Sequence, residues 1–124
     1  MIVPEWETEP SPPISLRAEK AFLGVVLTVG WVNPPPALLR PLDFALREHS
    51  TAYSAMLRMY AEKEPVDPLT LAFWLGREDT LSGAGGLSYL SSLLDGVPCC
   101  DSRDAYAQIV MEAAGLRKRR AWGT

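Results

Sequence analysis

The sequence predicts an all-α fold, a compact bundle of about six helices. Three observations carry that prediction. Apolar residues recur at offsets of three, four and seven in one segment after another, and no segment alternates with period two over a useful length. The run from Ala21 to Val32 carries no charge and is apolar nearly throughout, so it reads as a helix buried on almost every side. At 124 residues, with 48% hydrophobic residues, the chain has the length of one domain and the apolar surface for a real core.

Met1 to Pro13 is acidic and proline-rich, with Glu5, Glu7 and Glu9 among Pro4, Pro10, Pro12 and Pro13. It is expected to be a flexible arm, which Trp6 could dock onto a neighbour. The helical domain occupies 14–124. Ser15 is placed to cap a first helix running from Leu16 to about Val29. Leu16, Leu23, Val26 and Leu27 fall at offsets 0, 7, 10 and 11 on one stripe, which Phe22, Val25 and Val29 widen. A membrane span needs roughly 20 apolar residues. Lys20 and the Asn33-Pro34-Pro35-Pro36 break cut this run short, so a core helix is expected instead. The valines also permit a buried strand, but length and the upstream cap favour helix.

After the prolines, Ala37 to Arg40 is expected to form one short helical turn stopped by Pro41, and Pro41 to Phe44 a turn that anchors Phe44 in the core. A long helix follows from about Glu48 to Lys63, with Tyr53, Met56, Leu57 and Tyr60 at offsets 0, 3, 4 and 7. Asp67 is a good N-cap and Pro68 suits the first helical position. Leu71, Trp74 and Leu75 form the stripe of that helix, which ends near Gly76. Ser82-Gly83-Ala84-Gly85-Gly86 could cradle phosphate, but no lysine follows it and no strand precedes it. Close helix packing and positive φ explain the glycines better. Leu87, Leu90 and Leu94 mark a short helix ended by Gly96-Val97-Pro98. The last helix, about 102–122, starts near Asp101 or Ser102. It carries Tyr106, Ile109, Val110 and Ala113 at offsets 0, 3, 4 and 7, extended by Leu116.

Charge and cysteine content narrow the function classes. All 15 acidic residues precede Arg117, with eight of the 12 basic ones, so that part carries a net −7. The other four basic residues form the cluster Arg117-Lys118-Arg119-Arg120. An acidic body with one basic end does not suit a nucleic-acid-coating protein. The cluster complements the C-terminal end of a helix dipole, and it is also a candidate nucleic-acid contact. Cys99 and Cys100 are adjacent, too close for relaxed disulfide geometry. Together with an N-terminus lacking a secretory pattern, they point to a reducing, cytoplasmic setting.

Catalytic machinery is not visible. His49 is the one histidine, so no multi-histidine metal site can form, and it is expected to be a structural hydrogen bonder at the start of the long helix. Cys99 and Cys100 sit in no CxxC motif, and their neighbour Asp101 is an anion, which does not favour a reactive thiolate. No catalytic, cofactor or metal residue is assigned.

Several short features in order resemble the N-terminal domain of the bacterial replicative DNA helicases of the DnaB family. They are Pro12-Pro13, Ala18-Glu19, Leu23-Gly24, Asp43-Phe44 with His49, Ala55-Met56, and Glu64-Pro65-Val66-Asp67. Gly85-Gly86, Tyr89-Leu90, Val97-Pro98 and Tyr106-Ala107-Gln108-Ile109-Val110 complete the set. No single motif is specific; the whole set at near-constant spacing is. The likeness runs from Pro12 to about Ala121. The chain departs from the family at Arg17, where an acidic residue is frequent, at Pro34-Pro35-Pro36 and at Gly115.

The resemblance implies a helical head and the start of a helical hairpin. Such domains form a collar, often a trimer of dimers, above the motor ring of a hexamer. The collar binds primase and helps a helicase loader, while ATP and magnesium belong to a RecA-like motor domain whose Walker loop these 124 residues do not contain. The chain alone is therefore expected not to be an enzyme. Its implied partners are primase, sister subunits, a loader, and DNA through the full assembly, with no membrane. Arg17 and Tyr89 are the residues implied for primase contact. Tyr106, Ile109, Val110 and Leu116 are implied for hairpin packing. Alternatives are the related helicase-binding domain of primase, a standalone helicase-regulating or loader-interacting protein, and a small redox protein using Cys99 and Cys100.

Overall fold

The computed structural model describes residues 14–95, 97 and 100–123, with side chains as far as Lys118. The arm at 1–13, Gly96, Pro98 and Cys99 lie outside the described residues. Five α-helices make up the described part: α1 Ile14–Val29, α2 Arg47–Ala61, α3 Pro68–Arg77, α4 Gly86–Ser92 and α5 Arg103–Gly123. Short 3-10 turns stand at Pro41–Asp43, Ser82–Ala84 and Cys100–Ser102. No strand occurs among the described residues. No helix there is long and apolar enough to cross a membrane.

The uncharged run behaves as its composition requires. Ala21 through Leu27 is buried without a break, so α1 runs through the middle of the bundle. Its longest packing partner is α5. Helix α2 packs on another side of α1 and also meets α3. Phe22, Leu23, Tyr53, Met56, Leu71, Leu75, Leu90 and Leu93 are at most 1% exposed and form the centre of the core. Each buried side chain of this size contributes about 1.5–3 kcal/mol relative to exposure. Gly24 permits one close approach: a Cβ there would overlap the Leu93 carbonyl oxygen and lie 2.6 Å from Val97 Cγ2. The end of α4 therefore rests directly on the backbone of α1.

Helix α1 starts one residue before Ser15, which thus lies in the first turn and does not cap it. Gly30, at φ +76°, closes α1 by donating its N–H to the Val26 carbonyl at 2.7 Å. Ala37 and Leu38 form a plain turn in place of the expected helical one, and the expected turn at Pro41–Phe44 is a 3-10 turn over Pro41–Asp43 with Phe44 buried behind it. Proline is favoured at that first position, and the Asp43 carboxylate accepts from the Arg40 N–H at 2.9 Å. Helix α3 begins as its sequence demands. Asp67 accepts the Thr70 N–H at 2.8 Å, its own N–H donates to Thr70 Oγ1 at 2.9 Å, and Pro68 follows.

Three apolar faces are rotated from the expected stripes. In α2 the buried line is Ala52, Tyr53, Met56 and Met59, while Tyr60 is 40% exposed and sits edge-on to Trp31, ring centroids 5.8 Å apart. At the end of α4, Leu93, the residue after its last turn, is buried and Leu94 is not. In α5 the buried line is Arg103, Ala107, Val110 and Ala114. Tyr106, Ile109 and Ala113 are half-buried, and Leu116 is 49% exposed. The small side chains of Ala107 and Ala114 on this line permit α5 to lie close to α1.

Two arginines of α5 hold the segment after α1. The Arg103 guanidinium donates to the carbonyls of Asn33 at 2.9 Å and Pro34 at 2.8 Å, and lies 5.8 Å from the centre of the Trp31 ring. Arg117 donates to the Asp43 carbonyl at 2.6 Å. Both use charge-assisted bonds to main-chain acceptors. Beneath them, Tyr53 donates its buried hydroxyl to the Leu39 carbonyl at 3.2 Å, and burial pushes that phenol well above the usual tyrosine range.

Candidate partner-binding site

Among the described residues a buried polar arrangement links three side chains from three helices. Glu19 of α1 and His49 of α2 are completely buried. The imidazole Nδ1 lies 2.7 Å from Glu19 Oε1, and Glu19 Oε2 accepts the Ala45 N–H at 2.8 Å. The imidazole Nε2 lies 2.6 Å from the hydroxyl of Tyr89 in α4. The Tyr89 and His49 rings also stack, with centroids 5.8 Å apart and planes 19° from parallel. Both carboxylate oxygens and both ring nitrogens are thereby satisfied, which is what makes a buried acid and imidazole tolerable.

Local sequence explains how Tyr89 reaches this seat. The turn Ser82–Ala84 leads into Gly85 and Gly86, at φ +93° and +81°, a region that favours glycine. A Cβ on Gly85 would stand 2.8 Å from Tyr89 Cβ and Cγ, so the tyrosine lies against the bare glycine. The glycines thus serve packing. Tyr89 is half-buried, and its phenol is pushed above the usual tyrosine value by burial, then by the negative charges of Glu48 and Glu19.

The other residues singled out in the sequence do not gather around Tyr89. Arg17 is exposed on α1, and no hydrogen bond or ion pair joins it to Tyr89. Val110 belongs to the core. Tyr106, Ile109 and Leu116 form a half-open line along α5. In the basic cluster, Arg117 is turned inward to the Asp43 carbonyl and Lys118 is exposed, while the side chains of Arg119 and Arg120 lie outside the described ones.

Sequence reasoning missed Glu19, Arg103 and one outer face of α3. Glu19 sits beside Lys20; the signal that could have found it is its register, three residues after Leu16 and four before Leu23, on the buried stripe of α1. Leu69 and Phe73, four residues apart on α3, are 70% and 69% exposed, with the Arg77 guanidinium 5.9 Å from the Phe73 ring centre. Among the described residues no three of His, Cys, Asp or Glu gather in a way that could hold a metal.

This arrangement presents a partly exposed tyrosine on a buried, fully hydrogen-bonded support. Comparisons with known proteins agree with the fold. Residues 11–112 match the family described as the DnaB-like helicase N terminal domain. The chain is 40% identical over 92% of its length to the replicative DNA helicase DnaB of Geobacillus stearothermophilus, and 37% identical over 94% to that of Leifsonia xyli. It spans only about a quarter of those relatives, 25% and 26% of their lengths. The crystal structure of the N-terminal domain of DnaB helicase from Mycobacterium tuberculosis matches with a TM-score of 0.77 and 35% identity, covering 87% of this chain and 79% of that one. A DnaB-like replicative helicase, solved in a study of its interactions with primase, matches with a TM-score of 0.71 and 28% identity over 84% of this chain and 24% of that one. With its order of helices, its glycine-seated tyrosine and these likenesses taken together, the chain belongs to the family of DnaB-like helicase N-terminal domains.

Proposed function

We propose that the chain is the interaction module of a replicative DNA helicase, binding primase through the surface around Tyr89 and Arg17. The observation that carries this reading is the likeness to a helicase described with its interactions with primase. The fixed presentation of Tyr89 by Glu19 and His49 supports it, because a pre-ordered side chain costs little entropy on binding. Sister subunits would meet along the half-open line Tyr106, Ile109 and Leu116 of α5, building toward a hexamer, with a loader and DNA engaged by the full assembly. ATP and magnesium would act in a motor domain outside these 124 residues, in the cytoplasm.

Calorimetric titration of the chain with the C-terminal domain of its own organism's primase tests the reading, with the mass in solution recorded alongside. Saturable binding is expected, weakened about tenfold or more by Tyr89→Ala and by Arg17→Glu, since buried aromatic anchors and charges dominate such contacts. A folded chain that shows no binding would refute the primase reading.

A further inference from the structure

The buried chain of hydrogen bonds has a direction, and the direction dictates what a partner must bring. Its one fixed donor is a main-chain N–H. The Ala45 N–H can only donate, so Glu19 Oε2 accepts. With Glu19 as a carboxylate both of its oxygens accept, and His49 Nδ1–H is the donor that faces Oε1 at 2.7 Å. In a neutral imidazole with its proton on Nδ1, Nε2 is a bare acceptor. The only proton available to the 2.6 Å contact is then that of the Tyr89 hydroxyl. The phenol keeps this proton, because burial and the nearby charges of Glu48 and Glu19 oppose its loss.

We infer that Glu19 and His49 are positioning residues that draw the single Tyr89 proton inward, leaving the outward side of its oxygen as an acceptor for an N–H donor, best a lysine or arginine, of the bound partner. This rests on the reading of Tyr89 as a primase contact. The charged groups around the site favour the same answer. Glu48 and Glu19 make the surroundings of the phenol negative, which attracts a cationic donor and disfavours a carboxylate. A partner offering only acceptors would meet oxygen lone pairs with oxygen lone pairs.

The polarity can be reversed by one atom. In Glu19→Gln the amide oxygen still accepts the Ala45 N–H, and its NH₂ then faces His49 Nδ1. The imidazole proton moves to Nε2, which donates to Tyr89, and the hydroxyl proton swings outward. Shape and volume are almost unchanged, so a merely structural role for Glu19 would not move the readout.

His49 is the only histidine, so the ring of the full chain gives one unambiguous set of signals in long-range proton–nitrogen correlation spectra. The wild type is expected to show the Nδ1–H tautomer and Glu19→Gln the Nε2–H tautomer. An Nε2–H or doubly protonated ring in the wild type at neutral pH would overturn the inference without needing any partner. Titration with the primase C-terminal domain supplies the second readout. Tyr89→Phe is expected to weaken binding about tenfold, the loss of one hydrogen bond to a charged donor. Glu19→Gln should weaken it at least as much although Tyr89 keeps its hydroxyl. Wild-type affinity in Tyr89→Phe with a loss in Tyr89→Ala would show that only the ring is read, and would overturn the acceptor role. Equal binding by wild type, Tyr89→Phe and Tyr89→Ala would overturn the primase reading of Tyr89 itself.

Discussion

Two glycine-to-alanine changes in helices of this chain should move stability in opposite directions. Within a helix, alanine is favoured over glycine by about 1 kcal/mol. At Gly115 in α5 an added Cβ meets nothing within 4 Å, so most of that gain should appear. At Gly24 in α1 the same methyl would overlap the Leu93 carbonyl oxygen and press on Val97 Cγ2 at 2.6 Å. Val97 can turn aside, but the Leu93 carbonyl is backbone and can retreat only if the end of α4 moves. Overpacking of a closed core costs about 1–3 kcal/mol, and a backbone neighbour puts this site at the upper end. Setting that against the propensity gain leaves Gly24→Ala about 2 kcal/mol less stable than wild type. Gly115→Ala should come out up to about 1 kcal/mol more stable. Urea unfolding followed by circular dichroism reads both, with unchanged slope as the control for two-state behaviour. If Gly24→Ala were as stabilising as Gly115→Ala, the close approach of α4 to α1, and the account of the bundle built on it, would be wrong.

Removing the Arg103 guanidinium should cost about 2 kcal/mol, because hydrogen bonds from a charged donor contribute about 1.5–3 kcal/mol each but the freed carbonyls of Asn33 and Pro34 regain water. Arg103→Ala in the same urea assay would show this, and Arg103→Lys should recover only part, since an ammonium lacks the planar fork; an unchanged midpoint in Arg103→Ala would remove the proposed clamp. Alkaline pH should also destabilise the fold. Burial raises the Tyr53 and Tyr89 phenols above the ordinary tyrosine value of about 10. The unfolded chain therefore loses these protons first, so their contribution is intact below about pH 10 and is lost as pH rises further. Tyr53→Phe should flatten that decline, and a wild-type curve level to pH 11, about one unit above the ordinary value, would contradict the burial argument.

How far the sequence spoke for itself depends on whether the deciding contact was local. The buried α1 and the Asp67-Pro68 helix start were legible because composition and the capping residues act within a few positions. His49 was legible as a hydrogen bonder, being a lone histidine with no metal-binding neighbours. The inward face of α5 was not. Its line of Arg103, Ala107, Val110 and Ala114 looks less apolar than Tyr106, Ile109 and Leu116. It wins because small side chains permit close packing and because carbonyls 69 and 70 residues away satisfy Arg103. Nothing near Arg103 announces those acceptors. Glu19 was likewise named only within a motif; its partners Ala45, 26 residues on, and His49, 30 residues on, exist only once α1 and α2 are packed.

The two arginine bonds have a consequence for the order in which the molecule can be made. Arg117 closes onto Asp43 across 74 residues, and Arg103 closes onto Asn33 and Pro34 from nearly as far. Within these residues a chain emerging from the ribosome exposes α1 first, and α5, its longest packing partner, last. Until then one side of α1 has no native cover. The domain therefore completes its core late, when α5 closes onto the side of α1 that the earlier helices leave open.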